Sequence, residues 1–516
     1  MPKKSLPVTA YFCMEYGLAS DFSIYAGGLG ILAGDILKTA HDVKFPMVGV
    51  GILWRQGYTT QMVSKNGQPF DAYPIFHYDF LKDTGIKIKV LIRGRQVACK
   101  VWSVDHFKNA PLYLLDTNLP ENDDPWISGQ LYGWFGEERI AQEMVLGIGG
   151  VRALRALGIK VDIYHFNEGH ALFAGLELIR EKMEKGMSFQ EAWTQTKKQI
   201  VFTTHTPVKE GNEQHDHEML KYMGAYNGLT HGQMLSLGGD PFNMTVGCLR
   251  LAKIANGVSE LHGHTARNMW ELIPQIAPLI SITNGIHLDT WQNLAIRKAF
   301  ENNQPIWPVH LEAKERLIRF VQAKTGVTLD KNSLIIGFAR RAAPYKRSDF
   351  IFRNLPLIRP FLNDNRIQLI FSGKGHPLDD EGKKIVANLI AMTKIFPKSV
   401  VFLENYDMEI AQYMTQGCDV WLNNPQRPLE ASGTSGMKAA VNGVLNLSIL
   451  DGWWPEACIH GVNGWQFGDG YTGPDQDEHD LQALYKVLFD EVVPDKFSAK
   501  RMLEEYHKLM YSYTWQ

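Results

Sequence analysis

Residues 418–450 run Cys418-Asp-Val-Trp-Leu422, Asn423-Asn-Pro-Gln-Arg-Pro-Leu429, Glu430-Ala-Ser-Gly-Thr-Ser-Gly-Met-Lys438 and, after a short connection, Gly443-Val-Leu-Asn-Leu-Ser-Ile-Leu450. Two short apolar segments enclose a polar, glycine-rich stretch, and Met437 and Lys438 are expected to begin a helix, so the reading is strand, loop, helix, strand. Gly433, Thr434, Ser435 and Gly436 can turn several backbone N–H groups and two hydroxyls towards one anion, with the positive end of the helix facing the same spot. A lysine half buried among glycines can lose its charge and form a Schiff base, which is how proteins hold pyridoxal phosphate. A glycine-rich turn carrying a solvated lysine is the alternative.

The same rhythm extends outward in both directions. Short β-branched runs at 8–12, 47–53, 161–166, 200–204, 279–283, 334–339, 367–372, 400–403 and 420–423 alternate with amphipathic segments. Most lack strict alternation, as strands do when helices cover both faces of a parallel sheet. The run from Ile86 to Trp102 does alternate and turns near Gly94, which predicts an antiparallel hairpin appended to the first sheet. Between 290 and 332 the strands pause for helices broken at Asn302-Asn-Gln-Pro305 and at Pro308. The domains are therefore expected at 1–326, with the hairpin and linking helices, and at 327–516. The fold class expected is α/β, with two doubly wound Rossmann-like domains facing a central cleft at their strand C-termini.

Each half opens on a strand followed by a polar loop. In the first, Tyr25-Ala-Gly-Gly28-Leu29-Gly30-Ile-Leu-Ala33-Gly-Asp35 contains GxGxxA, but Gly51-Ile-Leu-Trp-Arg55 supplies no acidic residue where a nicotinamide dinucleotide requires one. What remains is a helix start at which glycines admit a phosphate or sugar, or pack closely. In the second, Gly337-Phe-Ala-Arg340-Arg341-Ala-Ala-Pro-Tyr-Lys346-Arg347 places four cations in eight residues after a strand, a pattern suited to gripping an anion.

Composition sets the outer bounds. The 516 residues are 45% apolar, enough for full cores, and 53 basic against 55 acidic side chains give no sign of a nucleic-acid or membrane-surface partner. Five scattered cysteines without CxxC spacing point to free thiols in a reducing compartment, and neither an export signal nor a membrane span is read, so the cytoplasm is expected. His215-Asp-His217 and His262-Gly-His264 place no third ligand by spacing, so no metal is expected. Trp453, Trp454 and Trp465 read as core aromatics or as sugar-stacking rings.

With Lys438, Arg341 and Gly28 in view, the chain resembles the α-glucan (glycogen, starch, maltodextrin) phosphorylase family, which has the type B glycosyltransferase architecture. Glu430-Ala-Ser-Gly-Thr-Ser-Gly-Met-Lys438 is similar to its cofactor-lysine motif, Gly27-Gly-Leu-Gly30 to its glycine loop, Arg341 with Lys346 to its phosphate-binding pair, and Thr283-Asn284-Gly285 with Trp291 to its sugar and cofactor segment. Asn167-Glu-Gly-His170, Thr204-His205-Thr206 and Phe402-Leu-Glu-Asn-Tyr406 follow in the family order, so the likeness spans roughly residues 25–455.

The resemblance implies reversible phosphorolysis: orthophosphate attacks the non-reducing terminal glucose of an α-1,4-glucan or maltodextrin and yields α-glucose 1-phosphate with retention. It implies pyridoxal 5′-phosphate anchored on Lys438, bound by Thr434, Ser435 and Arg340 and lined by Tyr406 and Trp291. Arg341 and Lys346 would hold the substrate phosphate and His205 would sit against the glucose. Gly28, Leu29, Asn284, Glu430, Ser432, Gly433 and His170 would bind sugar. Ser435-Gly436 and Asp451-Gly-Trp-Trp-Pro455 resemble the short bacterial and archaeal branch. The chain starts almost at its first strand, so the regulatory segment of animal-type members, and with it activation by a nucleoside monophosphate, is not expected. Homo-oligomerisation stays open. The alternatives are a nucleotide-sugar-dependent glycogen or starch synthase-like enzyme, which has no use for Lys438, and a non-catalytic glucan-binding protein.

Overall fold

A computed structural model describes residues 6–493. They fall into two compact units, one built from the chain up to Tyr58 and Tyr73–Ile282, the other from Thr59–Ala72 and the chain from Thr283 onward.

The first unit carries a nine-stranded sheet, ordered Leu279–Ser281, Ile254–Gly257, Ile200–Thr203, Ile163–Asn167, Thr9–Phe12, Met47–Ile52, Leu112–Asp116, Arg95–Val104, Lys82–Ile92. The first seven are parallel and the last two antiparallel. Numbered along the chain and read from Leu112–Asp116, the parallel strands lie in the order 3-2-1-4-5-6-7. Thr9–Phe12 pairs on both sides, and its apolar run is buried at every position. The expected hairpin is present: Arg93 (φ 51°) and Gly94 (φ 72°) form a two-residue left-handed turn whose twist matches the flanking strands.

One buried ion cluster fixes the helix Leu172–Glu184 behind this sheet. The carboxylate of Glu177, inaccessible to solvent, accepts hydrogen bonds from Arg152 Nε at 2.8 Å, Arg180 Nη2 at 2.6 Å and Asn227 Nδ2 at 2.7 Å. Burial alone would raise its pKa, but Arg180, Arg152 and Asn227 outweigh burial and hold it at about 2, against 4.5 for an ordinary glutamate. A depressed folded-state value stabilises above the unfolded pKa and is lost as pH falls through the folded one. A shift of that size corresponds to about 3 kcal/mol. Glu177→Gln should therefore lower Tm at neutral pH, with the gap to the wild type closing between pH 4.5 and 2. Thermal melts across that window check it, and a gap that does not change with pH would contradict the assignment.

The second unit carries a six-stranded, wholly parallel sheet, ordered Val400–Leu403, Ile367–Ser372, Leu334–Ala339, Val420–Asn423, Leu445–Ile449, Gly464–Phe467. Along the chain this is the order 3-2-1-4-5-6. The helices expected to link the domains from the first one's side, Leu288–Trp291, Leu294–Glu301 and Ile306–Thr325, belong to this second unit. The reason is packing and charge. Leu317, Ile318 and Val321 share a core with Ile335, Met414 and Trp421, while His310 and Lys314 reach Asp419 at 3.0 and 2.5 Å. Asp419 in turn accepts the N–H of Ile335 at 2.8 Å, tying the helix to the first strand of the sheet. Pro308 breaks nothing, because it lies in the first turn of Ile306–Thr325, where no intrahelical N–H bond is required.

Thr59–Ala72 contributes the antiparallel ribbon Thr60–Val63 and Pro69–Ala72. It is held to this unit by reciprocal bonds between the Gln61 amide and the backbone of Gly375 (2.9 and 3.1 Å) and by Asp71 on Lys383 at 2.8 Å. Trp453, Trp454 and Trp465 are core residues, 1–3% exposed. All five cysteines are free thiols. Among the described residues, no helix is long and apolar enough to cross a membrane.

Candidate active site

In the second unit the loop after Val420–Asn423 enters the helix Thr434–Ala440 through Gly433, whose φ of +85° lies in the left-handed region that favours glycine. The helix thus begins at Thr434, a turn earlier than the expected Met437, because Gly433 completes the reversal by itself. Lys438 consequently lies in the last turn of the helix rather than at its positive end. It is nonetheless buried, with Nζ 4.0 Å from the centroid of the Trp291 ring. A solvated lysine does not fit this placement. Gly436 has no room for a side chain, since a Cβ would come within 2.6 Å of Asn446 Oδ1 and 3.1 Å of Trp453 Nε1.

Trp291 is held against this helix by residues that the sequence reading missed. Asn442 Nδ2 donates to the carbonyls of Trp291 (2.9 Å) and Lys438 (2.8 Å), its Oδ1 accepts the N–H of Asn293 (2.7 Å), and Gln292 Nε2 donates to the Val441 carbonyl (2.8 Å). An asparagine four residues past the lysine, just beyond the helix end, was the available signal, since its side chain can return to the Lys438 carbonyl.

A charge cluster lies on the same loop. One carboxylate oxygen of Glu430 accepts from Arg340 Nη1 at 2.9 Å and from the Lys346 ammonium, and all three side chains are buried. Burial pushes the Glu430 carboxyl up, but Lys346 and Arg340 outweigh it and its pKa is lowered. Arg340 Nη2 also reaches Ser435 Oγ at 3.4 Å, and Trp421 Nε1 donates to that hydroxyl at 3.2 Å. Asp451 supports the turn by accepting the N–H of Glu430 and of Gly452, both at 2.9 Å. Burial foremost, and then the charge of Glu430, raise its pKa to about 8. At neutral pH Asp451 is therefore largely protonated, and Arg340, Lys346 and Glu430 leave one net positive charge in a buried place.

The remaining predicted residues of this unit are distributed unevenly. Burial holds the pKa of the Tyr406 phenol well above its ordinary value, outweighing the opposing charge of the neighbouring Arg340 guanidinium. Ser432 and Asn284 are buried, and Ser432 Oγ has no hydrogen-bond partner among the described residues. Arg341 is exposed, unlike Arg340 and Lys346. The fourth cation of the run, Arg347, serves the fold: it is 2% exposed, pairs with Asp477 and Asp480 at 2.9 Å each, and donates to the carbonyls of Asn424 and Pro425.

In the first unit the glycine loop divides between the two readings. Gly28 opens the helix Gly28–Asp42, is exposed, and would meet nothing within 4 Å if it carried a Cβ. Gly30 and Gly34 are packing glycines, since a Cβ would come within 2.6 Å of Glu15 Oε2 at the first and 2.0 Å of the Gly17 carbonyl at the second. Glu15, which the sequence reading passed over, accepts the N–H of Ala26 (2.6 Å) and of Gly27 (3.0 Å) just ahead of the helix, and Tyr132 Oη donates to it at 3.0 Å. Leu29 packs partly buried against the core.

His205 follows the strand Ile200–Thr203. Its Nε2 donates to Asn167 Oδ1 at 2.6 Å, and burial lowers its pKa to about 3, so the imidazole is neutral. Glu168 holds this segment, accepting from the N–H of His205 (2.7 Å) and from Thr206 Oγ1 (3.2 Å). Its backbone, at φ 73° and ψ 170°, lies in a region that non-glycine residues rarely adopt, a strain of roughly 1–3 kcal/mol of the kind that accumulates at functional sites. His170, two residues on, does not bond to His205; its Nε2 is 3.9 Å from Glu213 Oε2.

A buried lysine against an indole, beside a cation cluster with one uncompensated charge and an orphaned serine hydroxyl, fits an aldehyde-bearing phosphate better than a neutral ligand. Known proteins point the same way. The family model for carbohydrate phosphorylases matches residues 243–458. The chain is similar to the maltodextrin phosphorylase of Thermococcus litoralis (37% identity, over 99% of this chain and 71% of that protein) and the glycogen phosphorylase of Aquifex aeolicus (38%, 93% and 79%). It also matches a protein of Methanocaldococcus jannaschii at 36% identity, over 96% of this chain and 93% of that protein. With a relative above a third identical over nearly all of its length, the chain belongs to the carbohydrate phosphorylase family.

Proposed function

We propose that the chain catalyses reversible phosphorolysis of α-1,4-glucans, releasing α-glucose 1-phosphate from the non-reducing end with retention. The observation that carries this reading is the Lys438 amine buried on Trp291 in the same unit as the Arg340–Glu430–Lys346 cluster. The family's relatives named maltodextrin and glycogen phosphorylase support the substrate class. Each unit's parallel strands begin in the order 3-2-1-4-5-6, which supports a pair of doubly wound, Rossmann-like units of the type B glycosyltransferase kind.

Lys438 would hold pyridoxal 5′-phosphate, with Thr434, Ser435 and Arg340 as donors to its phosphate and Trp291 and Tyr406 as walls. When bound, the cofactor supplies a phosphate group able to give and take a proton beside the substrate phosphate. An oxocarbenium-like transition state without a protein nucleophile needs an anion fixed near the anomeric carbon. Arg341 and Lys346 supply the positive charge that fixes orthophosphate, and the protonated Asp451 keeps that charge from being cancelled. Glu430, Asn284, Ser432 and Gly433 take sugar hydroxyls, as do Gly28, Leu29 and His170 in the first unit. A neutral His205, its Nε2 proton committed to Asn167, orients the sugar without adding positive charge near the oxocarbenium. A nucleotide-sugar synthase leaves the buried Lys438 without a task.

Release of glucose 1-phosphate from maltodextrin and orthophosphate tests the reading directly, and its absence in cofactor-loaded protein overturns it. Within it, Arg341→Ala removes an exposed cation that follows the strand Leu334–Ala339. Loss of one charge-assisted hydrogen bond is worth about 1.5–3 kcal/mol. The orthophosphate KM should rise about 10- to 100-fold while the glucan still binds. Phosphate kinetics identical to the wild type would remove Arg341 from the site.

A further inference from the structure

Four side chains from three segments of the first unit lie close together: Glu143 on the helix Glu137–Met144, His170 on the turn Gly169–Ala171, and Glu213 with His215 at the strand Gln214–His215. One ligand atom each from Glu143, His170 and Glu213 lie within 4.8 Å of one another. His215 Nε2 is 3.1 Å from Glu143 Oε2 and 3.8 Å from Glu213 Oε1, and His170 Nε2 is 3.9 Å from Glu213 Oε2. Neighbouring donors around a tetrahedral ion with bonds of about 2.0–2.2 Å are separated by roughly 3.3–3.6 Å, so these spacings need only small adjustments.

Two further observations point to a ligand here. Glu143 is fully buried, yet its Oε1 has no hydrogen-bond partner among the described residues, and His170 Nδ1 is likewise unpaired. A buried carboxylate oxygen left without a partner is costly. Arg139 borders the cluster, with Nε 3.4 Å from Glu213 Oε1 and its guanidinium over the Tyr132 ring. Glu213 is about a quarter exposed, which leaves a path for an ion to enter.

We propose that Glu143, His170, Glu213 and His215 form a binding site for a first-row divalent cation, with zinc as the fit for two imidazoles and two carboxylates in a compact, four-donor arrangement. The ion joins the helix Glu137–Met144 to the turn that follows Asn167 and to the segment that follows His205. It therefore acts as a clamp on the two loops carrying those residues. Spacing along the chain does not reveal it, because the donors arrive from three segments, and the HxH spacing at 215–217 is misleading: His217 is spent on Tyr226 Oη and the Gly239 carbonyl, both at 2.7 Å.

The test is calorimetric titration of chelator-treated protein with Zn²⁺ alone, in a Cys458→Ser background because Cys458 is the one cysteine that is not fully buried. One equivalent should bind and raise Tm, and Co²⁺ in its place should give the visible absorption of a tetrahedral N/O site. Glu143→Gln should weaken that equivalent by at least about tenfold, with the far-ultraviolet circular dichroism unchanged in chelator. If Glu143→Gln does not fold, His215→Gln gives the same readout. Failure of the parent protein to bind Zn²⁺, or full binding by a folded variant, overturns the site. Neither result bears on whether the chain is a phosphorylase.

Discussion

Replacing Lys438 with alanine is expected to leave the purified chain without any pyridoxal absorption in the near ultraviolet and without measurable phosphorolysis, whereas the wild type carries one cofactor per chain. The prediction rests on burial. An exposed lysine keeps a pKa near 10.4 and is a poor partner for an aldehyde at neutral pH. Lys438 is 6% exposed and faces an indole. Borohydride reduction followed by peptide mapping should put the adduct on the peptide containing residue 438. Lys438→Arg separates chemistry from packing, because it keeps a long side chain against Trp291 but cannot form an imine. It should therefore retain most of the stability that the alanine variant loses while being equally devoid of cofactor. Full activity in cofactor-free protein, or an adduct on a different lysine, would sink the assignment.

What the sequence made legible was whatever is encoded locally. A strand buried on both faces announces itself as an unbroken apolar run, and Ile367–Ser372 and Val420–Asn423 lie where their runs lie. The turn at Arg93-Gly94 was legible because the hairpin needs positive φ there. Strands with mixed composition were not: Ile254–Gly257 ends in asparagine and glycine, and Gly464–Phe467 begins at a glycine with φ of 145°. The ribbon Thr60–Val63 and Pro69–Ala72 is polar and short, and its membership of the second unit depends on Gly375 and Lys383, far along the chain. At the site, the cation run after a strand marked Arg340 and Lys346 and the glycine-rich stretch marked Lys438, while Glu430 entered only through the family resemblance. Spacing could not distinguish Arg347, which neutralises Asp480, from its neighbours. Nor could it find Glu15 or Asn442, whose roles exist only through backbone groups brought to them by the fold.

Glu430→Ala should be the most destabilising change in the second unit's site. Its carboxylate is shared by Arg340 and Lys346, and removal leaves two buried cations facing one another. Breaking a buried ion pair by deleting one partner costs roughly 3–5 kcal/mol. Part of that loss should be recovered through Asp451. In the folded wild type Asp451 holds its proton up to about pH 8, against 3.8 for an ordinary aspartate, so the stability it contributes is complete below pH 3.8 and is lost as pH rises through 8. Without Glu430 beside it and with two cations in excess, its pKa must fall and it becomes the replacement anion. Glu430→Ala should thus lose less stability than Glu430→Ala/Asp451→Asn, and the double variant should exceed the sum of the two single changes. Orthophosphate offers a second route: a ligand that binds only the folded form stabilises by RT ln(1 + [L]/Kd), and the excess cations should make this rescue larger in Glu430→Ala than in the wild type. Thermal melts with and without phosphate measure both effects, and a Glu430→Ala protein as stable as the wild type and indifferent to phosphate would show that Arg340 and Lys346 do not form an anion site.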